Sequence, residues 1–320
     1  MNAMHLVLPG SIEARTGGTA YDRRVVIGLR ERGQSMHVHE LPGSYPSPDP
    51  GAREAASAAL GRNGDGETVV IDGLALGALP DEIGAHSERL SLVALVHHPL
   101  CDETGLVPGE AARLRASETL ALAATRRVVV TSQFTRRRLM TLGLVPLGAD
   151  VVVVEPGVDP APVSAAHTRG TPWSILSIGA LTPRKAYDDG LRALSGLREL
   201  NWTWSCAGRL DQASESAAST LRLVGELNLG DRVEFTGEID GADLDRRLGS
   251  AHVFLHTSRY EGYGMAISEA LARGLPVVSS TGGALADTVP PGAGTTFIPG
   301  DVEGLRAALR GTLERPMSYE

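Results

Sequence analysis

Residues 258–283 combine two carboxylates with closely spaced glycines. Glu261 lies in a Gly-rich loop, and Glu269 follows eight positions later in a short apolar segment that predicts a helix. Gly262 and Gly264 allow the backbone to approach a ligand closely, and the start of the helix would direct N–H groups and a positive dipole end at an anion such as phosphate. Carboxylates do not bind phosphate, but they accept hydrogen bonds from sugar hydroxyls. The spacing therefore predicts a site that binds phosphate and sugar groups side by side.

The single lysine of the chain is a second candidate for chemistry. The protein has 30 basic residues, and Lys185 is the one lysine among them. It follows an apolar segment, residues 175–178, that predicts a strand, and it precedes a predicted helix. Because arginine serves at every other basic position, the lysine indicates a site that needs a compact ammonium rather than a planar guanidinium. Chance survival of one lysine is the alternative explanation.

These two segments resemble those of the retaining glycosyltransferases of family 4, which have the GT-B fold. The family signature is Glu-Gly-Tyr/Phe-Gly-x4-Glu-Ala followed by Gly-x-Pro-Val-Val and a Gly-Gly pair, and residues 261–283 match it throughout. A second family motif, Gly-x3-Pro-x-Lys, matches Gly179, Pro183 and Lys185. A third, Pro-Gly-Val-Asp, occurs at residues 156–159. A pattern of this length is specific, whereas a lone glycine motif is not.

The resemblance implies an α/β protein with two Rossmann-like doubly wound domains that face a central cleft. A nucleotide sugar reacts by losing its diphosphate, so catalysis needs cations or N–H groups on the departing phosphate. The resemblance gives Lys185 that role, with Glu261 on the sugar hydroxyls and Glu269 on the ribose diol. The catalytic candidates are Lys185, Glu261 and His97. The residues expected to bind the donor are Gly17, Gly18, Arg184, Arg209, Gly262, Tyr263, Gly264, Met265, Ala266 and Glu269.

One position departs from the family pattern. Many family members have an arginine directly after the glycine that matches Gly179, and this chain has Ala180 there. Arg184 or Arg209 would supply the missing cation, and otherwise the diphosphate site has one cation fewer.

A histidine pair ends an apolar segment of the first half. His97 and His98 follow a predicted strand, at the strand end where doubly wound folds bind ligands. The family has a histidine near this position, close to the reacting sugar, and we assign it to His97. A structural polar pair is the alternative. The pair also suggests a metal site, but no third ligand has suitable spacing in the sequence.

Asp243 and Asp245 form an Asp-x-Asp motif of the kind that binds metal in another glycosyltransferase fold. Here the motif falls on a predicted helix, and we interpret both aspartates as part of a solvated face with Arg246 and Arg247. We therefore predict no metal site and no cofactor.

Strand and helix patterns alternate along the whole chain, which predicts parallel sheets with right-handed crossovers. Residues 1–160 are predicted to form an acceptor-binding domain, in which Gly17 and Gly18 follow the first strand. Residues 161–172 are rich in Pro, Ala, Ser and Thr and are interpreted as a linker. Residues 173–320 are predicted to form the nucleotide-sugar-binding domain, with the helix of Glu269 at roughly residues 265–273.

Bulk properties exclude several classes of protein. The net charge of −8 is shared evenly by the two halves, so we do not expect a nucleic-acid partner. The first residues lack the pattern of a signal peptide, and no apolar segment approaches the ~18 residues needed to span a bilayer. Cys101 and Cys206 have no metal-ligand spacing. A cytoplasmic protein, monomeric or homodimeric, is the expectation.

The predicted function is a metal-independent retaining hexosyltransferase. Its donor would be a UDP- or GDP-linked sugar, and its acceptor a hydroxyl of a small molecule, a glycan or a lipid-linked compound. Two alternatives have the same fold: a sugar phosphorylase, or a degenerate protein that binds a nucleotide sugar without turnover. The sequence does not distinguish the nucleobase, the sugar or the acceptor.

Overall fold

The computed structural model describes residues 3–164, 172–210 and 214–314. The chain divides into two compact units, residues 1–156 and residues 157–320. The division falls four residues before the end predicted for the first domain. Most of the predicted linker, residues 165–171, lies outside the described residues.

The first unit has a six-stranded parallel sheet with the strand order β2-β1-β3-β4-β5-β6. Its strands are β1 (Met4–Pro9), β2 (Met36–Leu41), β3 (Thr68–Asp72), β4 (Ser91–Val96), β5 (Arg127–Val130) and β6 (Val151–Val153). Its helices are α1 (Gly17–Glu31), α2 (Pro50–Gly61), α3 (Gly73–Leu76), α4 (Pro80–Gly84), α5 (Pro108–Ala123) and α6 (Gln133–Thr141). The strand order reverses between β1 and β3, so the carboxyl ends of these strands form a switch point, where open α/β sheets bind ligands.

Two helices of this unit begin at residues whose side chains cap the helix. The Thr16 side chain accepts from the Thr19 N–H at the start of α1. Ser132, predicted as an N-cap, accepts from the Thr135 N–H at the start of α6. Such caps satisfy N–H groups that have no partner within the helix.

The second unit has another six-stranded parallel sheet, with the order β12-β11-β10-β7-β8-β9. Its strands are β7 (Trp173–Ile178), β8 (Trp202–Ala207), β9 (Val233–Gly237), β10 (Val253–His256), β11 (Val277–Ser280) and β12 (Gly294–Phe297). Its helices are α7 (Tyr187–Ser195), α8 (Glu215–Glu226), α9 (Gly241–Ser250), α10 (Met265–Leu271), α11 (Leu285–Thr288) and α12 (Val302–Leu313). Here the switch point lies between β7 and β10.

Each sheet is buried between helices, as parallel sheets require. In the second unit, Trp202 and Trp204 on β8 are fully buried, and the Trp204 indole N–H donates to the Ser177 hydroxyl on β7 at 2.9 Å. Cys206 is buried as well, while Cys101 in the first unit is only half-buried. In the parts of the chain that the structure describes, no helix is both long and apolar enough to cross a membrane.

The elements differ from expectation mainly at their ends. The helix of Glu269 ends at Leu271 rather than near residue 273, because Gly274 follows in a left-handed conformation and the chain turns into β11. The last described helix, α12, ends at Leu313, and the residues after 314 lie outside the described part of the chain.

Candidate functional site

The switch point of the second unit brings the two motif segments together. The loop after β7 leads to a 3₁₀ turn at Pro183–Lys185, and the loop after β10 contains Glu261. Among the hydrogen bonds that join these loops, the Arg259 N–H donates to the Arg184 carbonyl at 2.8 Å, and the Thr257 hydroxyl donates to the Lys185 carbonyl at 2.6 Å. Residues about 75 positions apart in sequence thus form one polar site.

Glu261 lies at the centre of this site and binds two cations. Lys185 Nζ lies 2.6 Å from its Oε1, and an Arg184 guanidinium nitrogen lies 2.9 Å from its Oε2. The same guanidinium also donates to the Tyr260 carbonyl at 3.0 Å. Only about an eighth of the Glu261 side chain is exposed. The site therefore concentrates two positive charges around one largely buried carboxylate.

Charge pairing controls the ionisation of Glu261. Burial alone would raise the pKa of this carboxyl, but Lys185, His256 and Arg184 hold the pKa well below its usual range. Glu261 is therefore ionised at neutral pH, and it can accept hydrogen bonds but not donate them.

His256 is part of the site and was not among the residues predicted from the sequence. It is the last residue of β10, and its Nε2 lies 3.4 Å from Glu261 Oε1. Burial lowers the pKa of His256 despite the nearby carboxylate, so the imidazole is neutral at neutral pH. A histidine at the carboxyl end of a strand, five residues before Glu261, was the signal available in the sequence.

Several glycines hold the loops in contact. A Cβ atom on Gly208 would overlap the carbonyl oxygen of Gly179, so the loops after β7 and β8 touch through their backbones. Gly283 is left-handed, with φ of 67°, and a Cβ there would overlap the Glu261 carbonyl oxygen. The paired glycines of the signature thus allow close packing against the backbone of Glu261. Lys185 packs across Gly179, where an added Cβ would lie 2.7 Å from its Cε.

Glu269 has different surroundings from Glu261. It lies on α10 and is partly buried. Burial raises the pKa of Glu269; Arg273 opposes this rise, while Asp159 and Asp245 add to it. The expected donor-binding residues Tyr263, Met265 and Ala266 lie just before or at the start of the same helix, and Gly264 precedes it in a left-handed conformation with φ of 105°. Gly262 lies in the loop between Glu261 and Tyr263.

Ala180, the position at which the family pattern has an arginine, borders a cavity. Ala180, Thr182, Arg209 and Ser214 are among the residues that line this cavity, whose volume is about 390 Å³. Arg209 is therefore beside Ala180, whereas Arg184 is bonded to Glu261. The two arginines proposed as substitutes occupy different places in the second unit.

In the first unit, His97 lies beside Gly18 and two aspartates. Its Nε2 lies 3.1 Å from Asp22 Oδ1 and 3.3 Å from Asp72 Oδ2. A Cβ atom added at Gly18 would lie 3.1 Å from the imidazole ring. Burial alone would lower the pKa of His97, but its hydrogen bonds to Asp22 and Asp72 raise the pKa to about 10. Gly17, also predicted, is the first residue of α1 and leaves open space around it.

The second histidine of the pair lies beside a carboxylate of a later segment. His98 Nε2 lies 3.3 Å from Glu103 Oε2. The nitrogen of His97 and the oxygens of Asp22 and Asp72 all lie within 4.8 Å of one another, which is the arrangement of a possible metal site among the described residues. Neither aspartate was predicted from the sequence, because each comes from a different segment of the chain.

The Asp-x-Asp motif lies on α9, as predicted. Asp243 pairs with Arg246, and Asp245 pairs with Arg273. Arg247 pairs with the exposed Glu234 at 2.9 Å.

Comparisons with known proteins relate the chain to glycosyltransferases. Residues 164–320 match the family described as glycosyl transferases group 1. The chain is 32% identical over 184 residues to a glycogen synthase of Mycobacterium tuberculosis; the match covers 54% of this chain and 42% of that protein. It is 28% identical over 295 residues to the MMP α-(1→4)-mannosyltransferase of Mycolicibacterium hassiacum, covering 85% of this chain and 68% of that protein. The chain thus spans less than half of the glycogen synthase it matches.

The fold matches solved structures over nearly its whole length. A sucrose-phosphate synthase from Thermosynechococcus elongatus superposes with a TM-score of 0.80 at 21% identity, covering 98% of this chain and 90% of that one. At this level of identity the match shows the fold, which is the two-domain α/β fold predicted from the sequence.

Proposed function

We propose that this chain, whose residues 164–320 match the family of glycosyl transferases group 1, moves a hexose from a nucleoside diphosphate donor to a hydroxyl acceptor with retention of configuration. The observation that carries this proposal is the cluster of Lys185 and Arg184 on Glu261 at the switch point of the second unit. Two cations and a carboxylate in one site match the needs of a departing diphosphate and a hydroxylated sugar.

In the proposed reaction, the cations leave Glu261 for the donor. A diphosphate carries more negative charge than one carboxylate, so the ammonium of Lys185 and the guanidinium of Arg184 would turn to its oxygens. Glu261 would then accept hydrogen bonds from sugar hydroxyls, since it stays ionised. As the bond to the phosphate breaks, negative charge grows on the leaving group, and a cation that is already in place stabilises it. These steps use side chains only, so we propose that the reaction needs no divalent metal.

The relatives suggest which donors to test first. Two of them are named for GDP-mannose, and the printed names of three mannosyltransferases specify α linkages. GDP-mannose is therefore the first donor to test, and a UDP-linked sugar, the other donor class expected from the sequence, is the second. The acceptor would be a hydroxyl of a small molecule, a glycan or a lipid-linked compound, since the relatives' printed names span such acceptors.

A ligand panel tests the proposal. The full chain is heated with UDP, GDP, ADP and their sugars, because a ligand that binds the native state raises the melting temperature. The sugars that bind are then incubated with the protein, and release of the nucleoside diphosphate is measured together with the anomeric configuration of the product. The proposal is supported if the protein binds one nucleoside diphosphate together with its sugars, and if an α-linked donor gives an α-linked product. Turnover of a sugar with free phosphate and no nucleotide would instead identify a phosphorylase, and binding without turnover a degenerate protein.

A further inference from the structure

His256 lies beside the carboxylate at the centre of the second unit's site, but it makes no hydrogen bond of good geometry there. Its Nε2 lies 3.4 Å from Oε1 of Glu261. That nitrogen is fully buried and has no hydrogen-bond partner within the described parts of the chain. Buried polar atoms are nearly always paired in folded proteins, because an unpaired one loses its bond to water without replacement. The unpaired nitrogen therefore needs an explanation.

Lys185 occupies the oxygen that His256 faces. Its Nζ lies 2.6 Å from Oε1 of Glu261, whereas Arg184 binds the other oxygen, Oε2, at 2.9 Å. The ammonium is charged and at hydrogen-bond distance, so it is the stronger partner of Oε1. The imidazole nitrogen is 3.4 Å from the same atom, beyond the usual range of an N–H···O bond. Lys185 and His256 thus compete for one oxygen atom.

The two competing groups differ in how far they can move. Lys185 ends the 3₁₀ turn, and its ammonium is carried by a flexible four-carbon chain. His256 is the last residue of β10, a strand inside the sheet that pairs with both β7 and β11. Its side chain is only 3% exposed. The ammonium can therefore turn to another anion, whereas the imidazole stays beside Glu261.

The backbone of Glu261 is held independently of the two cations. Its carbonyl accepts from the Ala284 N–H at 2.8 Å, and its N–H donates to the Gly282 carbonyl at 3.3 Å. These bonds fasten the loop after β10 to the segment after β11. If both cations turn to a diphosphate, the carboxylate would remain buried without a partner, which is unfavourable.

We propose that His256 is a positioning residue, which takes over Oε1 of Glu261 when Lys185 turns to the donor diphosphate. In that state the Nε2–H of His256 donates to the carboxylate and keeps it oriented toward the sugar hydroxyls. The role in turnover rests on the proposed function, whereas the competition of His256 and Lys185 for Oε1 does not.

The chemistry of the two groups fits this exchange. A carboxylate only accepts hydrogen bonds, so Glu261 favours the imidazole tautomer that carries its proton on Nε2. A movement of about 0.5 Å would bring the two atoms to an ordinary N–H···O distance. Burial lowers the pKa of His256, and both cations of the site add to this effect, whereas the carboxylate opposes it. The ring is therefore a neutral donor that adds no third positive charge while the cations are close.

A test without any donor is a double-mutant cycle on the full chain, measured as the midpoint of urea denaturation. Lys185→Ala frees Oε1, and the Nε2–H of His256 is then expected to bond to it. His256→Leu removes this donor, so it should lower the midpoint more in the Lys185→Ala background than in the wild type. His256→Gln has an amide N–H near the position of Nε2 and should remove most of this extra loss. Equal losses in both backgrounds would overturn the proposal.

His252→Leu is the matched control for loss of a buried histidine. His252 directly precedes β10, at the opposite end of the strand from His256, and its Nδ1 accepts from the Ser174 N–H at 3.0 Å. Its replacement should lower the midpoint equally in both backgrounds. If the double variant fails to fold, the imidazole N–H signal of His256 in protein labelled with ¹⁵N-histidine replaces the cycle. This signal should move downfield from the wild type to Lys185→Ala, and an unchanged position would contradict the proposal.

Turnover gives a readout that a merely structural role would not change. With the donor found in the ligand panel, His256→Leu should lower kcat/KM by at least about tenfold, as for loss of one hydrogen bond to a charged group. The Kd of the bare nucleoside diphosphate should stay within about twofold of the wild type. His256→Gln should recover most of the rate, whereas a structural defect would weaken both ligands and would not be rescued by glutamine. If no donor is turned over, the proposed function fails, and the denaturation cycle still decides whether His256 and Lys185 compete for Glu261.

Discussion

Lys185 Nζ lies 2.6 Å from Oε1 of Glu261, and this ion pair links the loop after β7 to the loop after β10. Both side chains are largely buried, at 16% and 12% exposure, so the pair is poorly screened by water. Removing one partner would leave the other charge buried and unpaired, which costs more than loss of a surface pair. Loss of either charge should therefore destabilise the site as well as change its net charge.

Replacing Lys185 tests the role of the ammonium. Lys185→Ala is expected to lower kcat by about 100-fold or more, as for loss of one group that stabilises the transition state. Lys185→Arg should also be impaired, because the lysine chain packs closely over Gly179 and a planar guanidinium does not fit the same space. Steady-state kinetics with the donor found in the ligand panel checks both variants.

Arg222→Ala is the control for loss of a positive charge, since Arg222 is exposed and pairs with the exposed Glu215. It should keep wild-type kinetics. A Lys185→Ala variant within threefold of the wild type would show that the ammonium does not assist the reaction.

The two glutamates of the signature should differ in what they bind. Glu261→Ala should leave binding of the bare nucleoside diphosphate nearly intact and weaken the full donor, because Glu261 is proposed to hold the sugar. Glu269→Ala should weaken both ligands, because Glu269 is proposed to hold the ribose. Each lost charged hydrogen bond should cost about 1.5 to 3 kcal/mol. Calorimetric titration of both variants with both ligands measures this, and equal losses throughout would contradict the division of roles.

Metal independence is the third expectation. The cations of the site are side chains, and both aspartates of the Asp-x-Asp motif are paired with arginines. Turnover should therefore survive excess EDTA. If activity is lost and Mg²⁺ or Mn²⁺ restores it, Asp243→Asn and Asp72→Asn would locate the ion in the second or the first unit.

Glu118 on α5 should make stability depend on pH. It is fully buried, and burial raises its pKa to about 8, although the Leu100 N–H bonded to it opposes this rise. Between pH 5 and 8 the unfolded chain releases this proton and the folded chain keeps it. The free energy of unfolding should therefore fall as pH rises, by at most about 1.4 kcal/mol per pH unit from this group.

Glu118→Gln should remove that part of the slope in urea denaturation at pH 5.5, 6.5 and 7.5. Exposed Glu54 on α2 offers the matched control, and Glu54→Gln should keep the wild-type slope. Identical slopes for the wild type and Glu118→Gln would show that Glu118 is ionised in the folded protein.

Gly208 should tolerate no side chain. An added Cβ would overlap the Gly179 carbonyl oxygen, so Gly208→Ala must separate the loops after β7 and β8. We expect a loss of at least about 2 kcal/mol in the free energy of unfolding, together with weaker nucleotide binding. Gly225→Ala is the control, since Gly225 lies in α8 with open space around it, and alanine there should be neutral or stabilising. Denaturation of the two variants shows whether the loss of stability comes from the clash at Gly208 or from replacing a glycine by alanine in general.

The sequence by itself determined the local features of this protein. Alternating strands and helices follow from apolar segments and turn residues, and the Ser132 cap is confirmed because its partner lies three residues away. The signature around Glu261 and the lysine at 185 were also readable, since each motif is contiguous. The prediction of two doubly wound sheets is confirmed for the same reason.

The tertiary structure decided which distant residues meet. Sheet order places β10 beside β7, and this contact brings Lys185 to Glu261 and adds His256, whose own segment gave no motif. The tertiary structure also separates Arg184 from Arg209, which the sequence gave as two alternatives for the cation missing at Ala180.

The same holds for His97, whose partners come from elements 25 and 75 residues away along the chain. A local pattern records the propensity of its own segment, whereas contacts between segments depend on strand order and on packing of helices against the sheet. For that reason the sequence supplied the chemical groups of each site, and the tertiary structure determined their partners and their charges.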